Sequence, residues 1–151
     1  MAARLNNIII DHTNELAYLS DRHTRTILLV DDEQDIMTSL KIGLEETGLF
    51  EVNGFTDPKS ALSNLSEVGL HHYDLLLIDI KMPTMNGFEL YQQIKNKFGD
   101  NSSTKVCFIT AYEIYYETLK KEFPTLNVGC FIKKPIEIKE LVNRIKQELE
   151  L

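Results

Sequence analysis

The sequence predicts an α/β fold, a doubly wound parallel sheet with helices on both faces. Three observations carry that expectation. Five short, β-prone apolar runs alternate with stretches whose apolar residues recur at helical spacing. Most of the runs are nearly continuous in apolar residues, as strands buried on both faces are. Right-handed crossovers then leave the doubly wound sandwich as the economical topology for five β–α units.

The elements follow in order. Thr26-Ile27-Leu28-Leu29-Val30 reads as a buried strand ending in Asp31-Asp32-Glu33. Ile36, Met37, Leu40 and Leu44 recur at the spacing of one helix face, with Gly48 just past the expected helix end. Residues 50–55 form the second strand. Asp57-Pro58 is a helix start, with Asp at the cap and Pro in the first turn, and Ala61, Leu62, Leu65 and Val68 give that helix its apolar face. The third strand covers 73–78 and ends in Asp79. Asn86-Gly87 opens a third helix reaching about Phe98, with Leu90 and Ile94 inward. The fourth strand, 106–109, ends in Thr110, and a fourth helix is expected over about 111–121. The fifth strand, 128–132, ends in Lys133-Lys134-Pro135, and a last helix covers about 136–149.

At 151 residues the chain suits one domain with a real core. It carries 23 acidic and 16 basic residues, a net charge of −7, which disfavours nucleic-acid or anionic-membrane binding by bulk charge. Residues 1–25 are balanced, so the whole excess lies beyond them. Residues 1–24, rich in Asn, Thr and His, are expected to be an extension, either a mobile tail or a short helix over about 13–19. No apolar run approaches the about 18 residues of a membrane span, and Ile8-Ile9-Ile10 is too short for a secretion signal. Two cysteines are too few for a disulfide scaffold, so a reducing, cytoplasmic setting is expected. Cys107 and Cys130, both on expected interior strands, read as small buried hydrophobes.

In such sheets the functional crevice lies beyond the carboxyl ends of the strands. The residues at those ends are Asp31 and Asp32, Asp79, Thr110 and Lys134. Taken singly, each has an ordinary explanation as a turn, a helix cap or a residue before proline. Taken together they gather three carboxylates, one hydroxyl and one ammonium at a single edge. Three close carboxylates call for a cation, and Mg²⁺ suits an all-oxygen set. Such a metal with Lys134 would bring the site near neutrality, and an incoming phosphoryl group would then find metal, ammonium and hydroxyl to hold it. Asp79, on a central strand end opposite the lysine, is the natural nucleophile.

Four motifs carry a resemblance to a known family: Ile27-Leu28-Leu29-Val30-Asp31-Asp32-Glu33, the run from Leu77 through Asp79 and Lys81-Met82-Pro83 to Gly87, Ile109-Thr110-Ala111, and Phe131-Ile132-Lys133-Lys134-Pro135. Over 25–151 the chain resembles the receiver domain of two-component response regulators. The resemblance implies a flavodoxin-like fold with strand order 2-1-3-4-5. It implies that Asp79 accepts a phosphoryl group from a histidine kinase or phosphotransfer protein. Mg²⁺ would be held by Asp32 and Asp79 directly, by Asp31 through water and by the backbone carbonyl of Lys81. Thr110 and Lys134 would bind the phosphoryl group, and the Lys134–Pro135 bond would be cis, an isomer that proline makes accessible.

The resemblance also implies a switch in which Thr110 moves and Phe131 turns inward. Tyrosine is common at that position, so Phe131 keeps the packing without a hydroxyl; plain core packing is its other reading. Lys81 and Tyr112 would flank the site, and the resemblance implies that residues at these two positions influence water access and so how long the acyl phosphate lasts. The face made by the fourth helix, fifth strand and fifth helix, with Tyr112, Ile114, Tyr115 and Tyr116, suits a downstream protein target or a homodimer. Because the chain stops at Leu151, the expectation is a stand-alone phosphoacceptor that signals by docking, with no direct nucleic-acid or membrane binding. Two other readings compete. One is an unphosphorylated receiver-like interaction module, although none of the site residues is lost. The other is a phosphatase with an aspartyl-phosphate intermediate, in which the second residue after the nucleophile would be an acid/base aspartate; Lys81 stands there, so an enzyme is not expected.

Overall fold

The computed structural model describes residues 24–99, 103–111, 117, 120–124 and 130–151. The described strands are β1 (Arg25–Val30), β2 (Phe50–Phe55), β3 (Leu75–Asp79), β4 (Lys105–Thr110) and β5 (Cys130–Lys133). The described helices are α1 (Gln34–Glu45), α2 (Pro58–Val68), α3 (Gly87–Phe98) and α4 (Ile138–Glu148). Most of the helix expected between β4 and β5, the expected extension up to residue 23 and the first two residues of the expected fifth strand lie outside the described residues.

The strands form one parallel sheet in the order β2-β1-β3-β4-β5. Strand alternation sorts each buried run between two layers. Leu28, Val30, Leu76 and Ile78 point into the layer under α2 and α3, where Ala61, Leu65, Leu90 and Ile94 meet them. Ile27, Leu29, Leu75 and Leu77 point into the opposite layer, closed by Met37, Leu40 and Leu44 of α1 and by Leu141 and Ile145 of α4. Burial on both faces is why these runs read as continuously apolar. Each such Leu or Ile contributes roughly 1.5–3 kcal/mol when taken out of water.

The helix starts are chemically defined. The Asp57 carboxylate accepts from the Lys59 backbone N–H, with Pro58 in the first turn. Asn86 and Glu89 form a reciprocal capping box at the start of α3. At α1 the adjacent side chain does not cap; instead Asp31 accepts from the Glu33 N–H at 3.0 Å.

The structure departs from expectation in several places: β3 is Leu75–Asp79 rather than 73–78, and α4 begins at Ile138 rather than about 136. Residues Leu70–His72 form a short 3-10 turn where a plain loop was expected. More consequentially, Cys107 and Cys130 are not separate thiols. They are partners across β4 and β5, 4.6 Å apart at Cα, and are joined as a disulfide. Both are fully buried, as expected. Their pairing comes from strand register, which residue spacing along the chain does not reveal.

Candidate functional site

The carboxyl ends of β1, β3, β4 and β5 place the site. Asp31 follows β1 directly and is fully buried, although it is charged. That burial is stable because the carboxylate is doubly partnered: one oxygen accepts from the Glu33 N–H, and the other lies 2.6 Å from Lys134 Nζ. Asp79 is the last residue of β3 and is also buried. Its carboxylate lies 3.3 Å from the same ammonium. Asp32 is less buried, on the rim. One carboxylate oxygen from each of Asp31, Asp32 and Asp79 can be chosen so that all three lie within 4.8 Å of one another.

The backbone fixes these groups from both sides. Asp79 pairs in register with Ile109 on β4, and the Ile80 N–H donates to the Ile109 carbonyl. Thr110, buried at the end of β4, accepts at its backbone carbonyl from the Lys134 N–H at 2.8 Å. This bond ties the Thr110 and Lys134 positions together. The Lys134–Pro135 peptide is cis. Lys133 is exposed and Lys134 is mostly enclosed, as alternation along a strand requires.

A glycine contact sets the approach of α3. The Gly87 N–H donates to the Ile80 carbonyl at 2.7 Å. A β-carbon on Gly87 would overlap the Asp79 carbonyl and crowd Ile78 Cγ2 and Ile80 Cα, each at 3.0 Å. In the loop between them, Thr84 takes a left-handed backbone with φ 68°, a conformation costing a branched side chain about 1–2 kcal/mol.

The electrostatics are uneven. Burial pushes the Asp79 carboxyl up to about 6; Lys134 opposes the rise, and Asp31 and Asp32 add to it. For Lys134, burial favours the neutral amine, but the Asp31 hydrogen bond and the Asp79 charge outweigh it and raise the ammonium above its ordinary value. The Lys134 ammonium thus lies against two of the three carboxylates. The carboxylates form an all-oxygen set with excess negative charge, so they fit a small hard divalent cation such as Mg²⁺. Beside them opens a cavity of about 400 Å³, lined by Asp32, Glu33, Asp79, Lys81, Met82, Pro83, Ala111 and Lys134. It is large enough for a phosphoryl group.

Of the residues singled out from sequence, Asp31, Asp32, Asp79, Thr110 and Lys134 gather at one edge. Lys81 lines the cavity from an exposed position. Phe131 lies in the aromatic layer behind the site, stacked with Phe108 at 5.7 Å and Phe88 at 6.1 Å between centroids. Tyr112, Ile114, Tyr115 and Tyr116 lie outside the described residues. Sequence reasoning set Lys134 opposite Asp79, as found, but did not foresee that its closer contact would be with Asp31. It also missed the lining role of Glu33 and Ala111 and the steric role of Gly87. The Asn-Gly pair at a helix start was the available signal for Gly87.

Comparisons with known proteins agree with this geometry. Residues 27–146 match the model of the response regulator receiver domain. The chain is 38% identical over 123 residues to the transcriptional regulatory protein CrdR of Helicobacter pylori, covering 82% of this chain and 54% of that protein. It is 33% identical over 128 residues to the response regulator ArlR of Staphylococcus saprophyticus, covering 82% and 51%. The chain therefore spans about half the length of these curated relatives. Among solved structures, a CheY-like receiver domain protein from Methanospirillum hungatei superposes with a TM-score of 0.70 at 27% identity, covering 85% of this chain and 95% of that one. Chemotaxis protein CheY4 of Vibrio cholerae gives 0.71 at 21% identity, covering 83% and 99%, a likeness of fold. Among the described residues no helix is long and apolar enough to cross a membrane.

Proposed function

Since the chain belongs to the response regulator receiver domain family, we propose that it accepts a phosphoryl group on Asp79 and converts that event into a change of surface. The observation that carries the reading is the convergence of Asp31, Asp32 and Asp79, with oxygens within 4.8 Å of one another, beside the Lys134 ammonium that contacts Asp31 and Asp79. It retains every charged group that acyl-phosphate chemistry needs.

In this reading an Asp79 oxygen attacks the phosphorus of a phosphohistidine on a kinase or phosphotransfer protein. The O–P bond forms, the N–P bond breaks, and the imidazole leaves with the electron pair. Lys134 holds the transferred group by charge, and the Thr110 hydroxyl donates to one of its oxygens. Asp31, Asp32, Asp79 and the Lys81 carbonyl would hold Mg²⁺, which when bound offsets the negative charge of carboxylates and phosphoryl group together. Asp31 keeps Lys134 aimed at the site through their 2.6 Å contact. Phe131 is the proposed switch aromatic, and its place in the Phe88–Phe108 stack supports a ring whose movement is felt in the core.

Two features support a protein as donor and target. A largely apolar groove of about 380 Å³, lined by Ile36, Leu40, Ile109, Pro135 and Ile136, adjoins the site and shares Glu33, Ala111 and Lys134 with it. The net charge of −7 disfavours direct contact of this receiver with nucleic acid. A role as phosphoacceptor rather than enzyme fits Lys81, which stands where an aspartyl-phosphate phosphatase would carry its second acid/base. A cytoplasmic setting fits a partner kinase.

The test is direct. The full chain is incubated with Mg²⁺ and a small acyl phosphate and weighed intact, beside Asp79→Asn. One phosphoryl adduct on the parent and none on the variant is the expected result. No adduct on the parent, or an adduct that survives in the variant, overturns the reading.

A further inference from the structure

We propose that Cys107 and Cys130 are a reversible redox modification site, closed by peroxide and reopened by a dithiol, whose state sets how fast the acceptor site reacts. The regulatory half of this proposal rests on the reading of Asp79 given above.

The placement is specific. The chain has two cysteines in 151 residues, and strand register makes them direct partners on β4 and β5. Their 4.6 Å Cα separation lies within the span of a disulfide, and they are joined as one. A single bridge inside a sheet that already has two complete apolar layers is not a scaffold. In the cytoplasmic setting proposed above, bridges of this kind are commonly transient and redox-responsive.

The surroundings favour the chemistry. Arg144 Nη2 lies 3.9 Å from Cys130 Sγ and is anchored by donating to the Phe131 carbonyl at 3.1 Å. A guanidinium there favours the thiolate of Cys130. The Glu148 carboxylate has an oxygen within 4.8 Å of both sulfurs, a span across which one bridging water can carry the thiol proton. Both sulfurs are buried, but β5 is an edge strand of the sheet. Local opening is cheapest at such an edge.

The steps balance. The Cys130 thiolate attacks one peroxide oxygen, the O–O bond breaks, and a sulfenic acid and hydroxide form. The Cys107 thiol then attacks that sulfur; the S–S bond forms, the S–O bond breaks, and water leaves. In sum, two thiols and one peroxide give one disulfide and two waters. A small dithiol reverses the change by two exchanges and departs as its own cyclic disulfide.

The site lies directly above. Thr110 is three residues beyond Cys107 on the same strand. Phe131 follows Cys130, and the Lys134 N–H donates to the Thr110 carbonyl. A covalent tie between β4 and β5 therefore restrains the small strand-end shift with which Thr110 and Lys134 close on a phosphoryl group. The closed form is the slower acceptor.

The folded full chain is treated with hydrogen peroxide or with dithiothreitol, quenched with iodoacetamide in denaturant and weighed. Matched samples, freed of reagent, receive acetyl phosphate and Mg²⁺, and adduct formation is followed by intact mass. The expected result is conversion in both directions without unfolding, with phosphorylation about fivefold slower in the closed form, a low value for coupled sites. Cys130→Ala should react at the open-form rate after either treatment. Failure of the folded protein to interconvert overturns the proposal. So does interconversion with an unchanged or raised rate in the closed form, or a slowing by peroxide that persists in Cys130→Ala. No adduct in either form overturns the reading of Asp79, and the regulatory proposal falls with it.

Discussion

Lys134 holds Asp31 more closely than Asp79: its ammonium lies 2.6 Å from the first carboxylate and 3.3 Å from the second. Asp31 is the more deeply buried of the two. The lysine thus compensates a charge that water cannot reach, while its contact with Asp79 is the looser one.

Lys134→Met tests that division. The substitution preserves the stem and leaves two buried carboxylates without their cation. In EDTA at neutral pH the variant should lose about 3 kcal/mol of stability, the usual scale for breaking a buried pair. In millimolar Mg²⁺ the deficit should shrink, because the carboxylates gain another cation. Urea unfolding under both conditions measures it, and an equal deficit in each would contradict the assignment of Mg²⁺ to these carboxylates.

Asp79 should make stability fall as pH rises through its titration. Its carboxyl is raised to about 6 in the folded protein, against about 3.9 in an unfolded chain. Between those values the folded state holds the proton more tightly, so the favourable contribution is complete below about 4 and is lost by somewhat above 6. The resulting cost at neutral pH is on the order of 2–3 kcal/mol. Asp79→Asn removes it. In EDTA the variant should melt above the parent at pH 7.5, with the gap closing toward pH 4. Thermal melts across that range decide it, and a gap independent of pH would rule the mechanism out.

Gly87→Ala should loosen the site through packing alone. The added β-carbon meets the Asp79 carbonyl and the Ile78 and Ile80 atoms behind it, and backbone cannot swing away as a side-chain tip can. Overpacking of this kind costs roughly 1–3 kcal/mol. Phosphorylation should slow further than stability alone explains, because the displaced carbonyl belongs to the acceptor residue. Adduct kinetics measured where the variant remains fully folded provide the check.

Much of this was legible in the sequence because strands buried on both faces have a strong signature. The runs ending in Asp31, Asp79 and Thr110 announce both the strands and the edge where their ends meet. The resemblance then supplied the strand order and the meaning of Lys134-Pro135. What remained hidden depends on register and depth. Nothing along the chain pairs Cys107 with Cys130, since two strands of unknown offset can place them face to face or residues apart. Nothing showed that Asp31 would be fully buried and Asp32 not, since the two are neighbours of one type. The clash that keeps residue 87 a glycine arises from a carbonyl eight positions earlier, brought back by the loop through Thr84.

The contact between Asp31 and Lys134 joins residues 103 positions apart. A ribosome making this chain therefore exposes an incomplete pocket for most of synthesis, with Asp31 and Asp79 emerging long before their counter-charge. No nascent fragment ending before residue 134 can present the finished cluster, so Asp31 and Asp79 meet their ammonium only on chains whose last strand has joined the sheet.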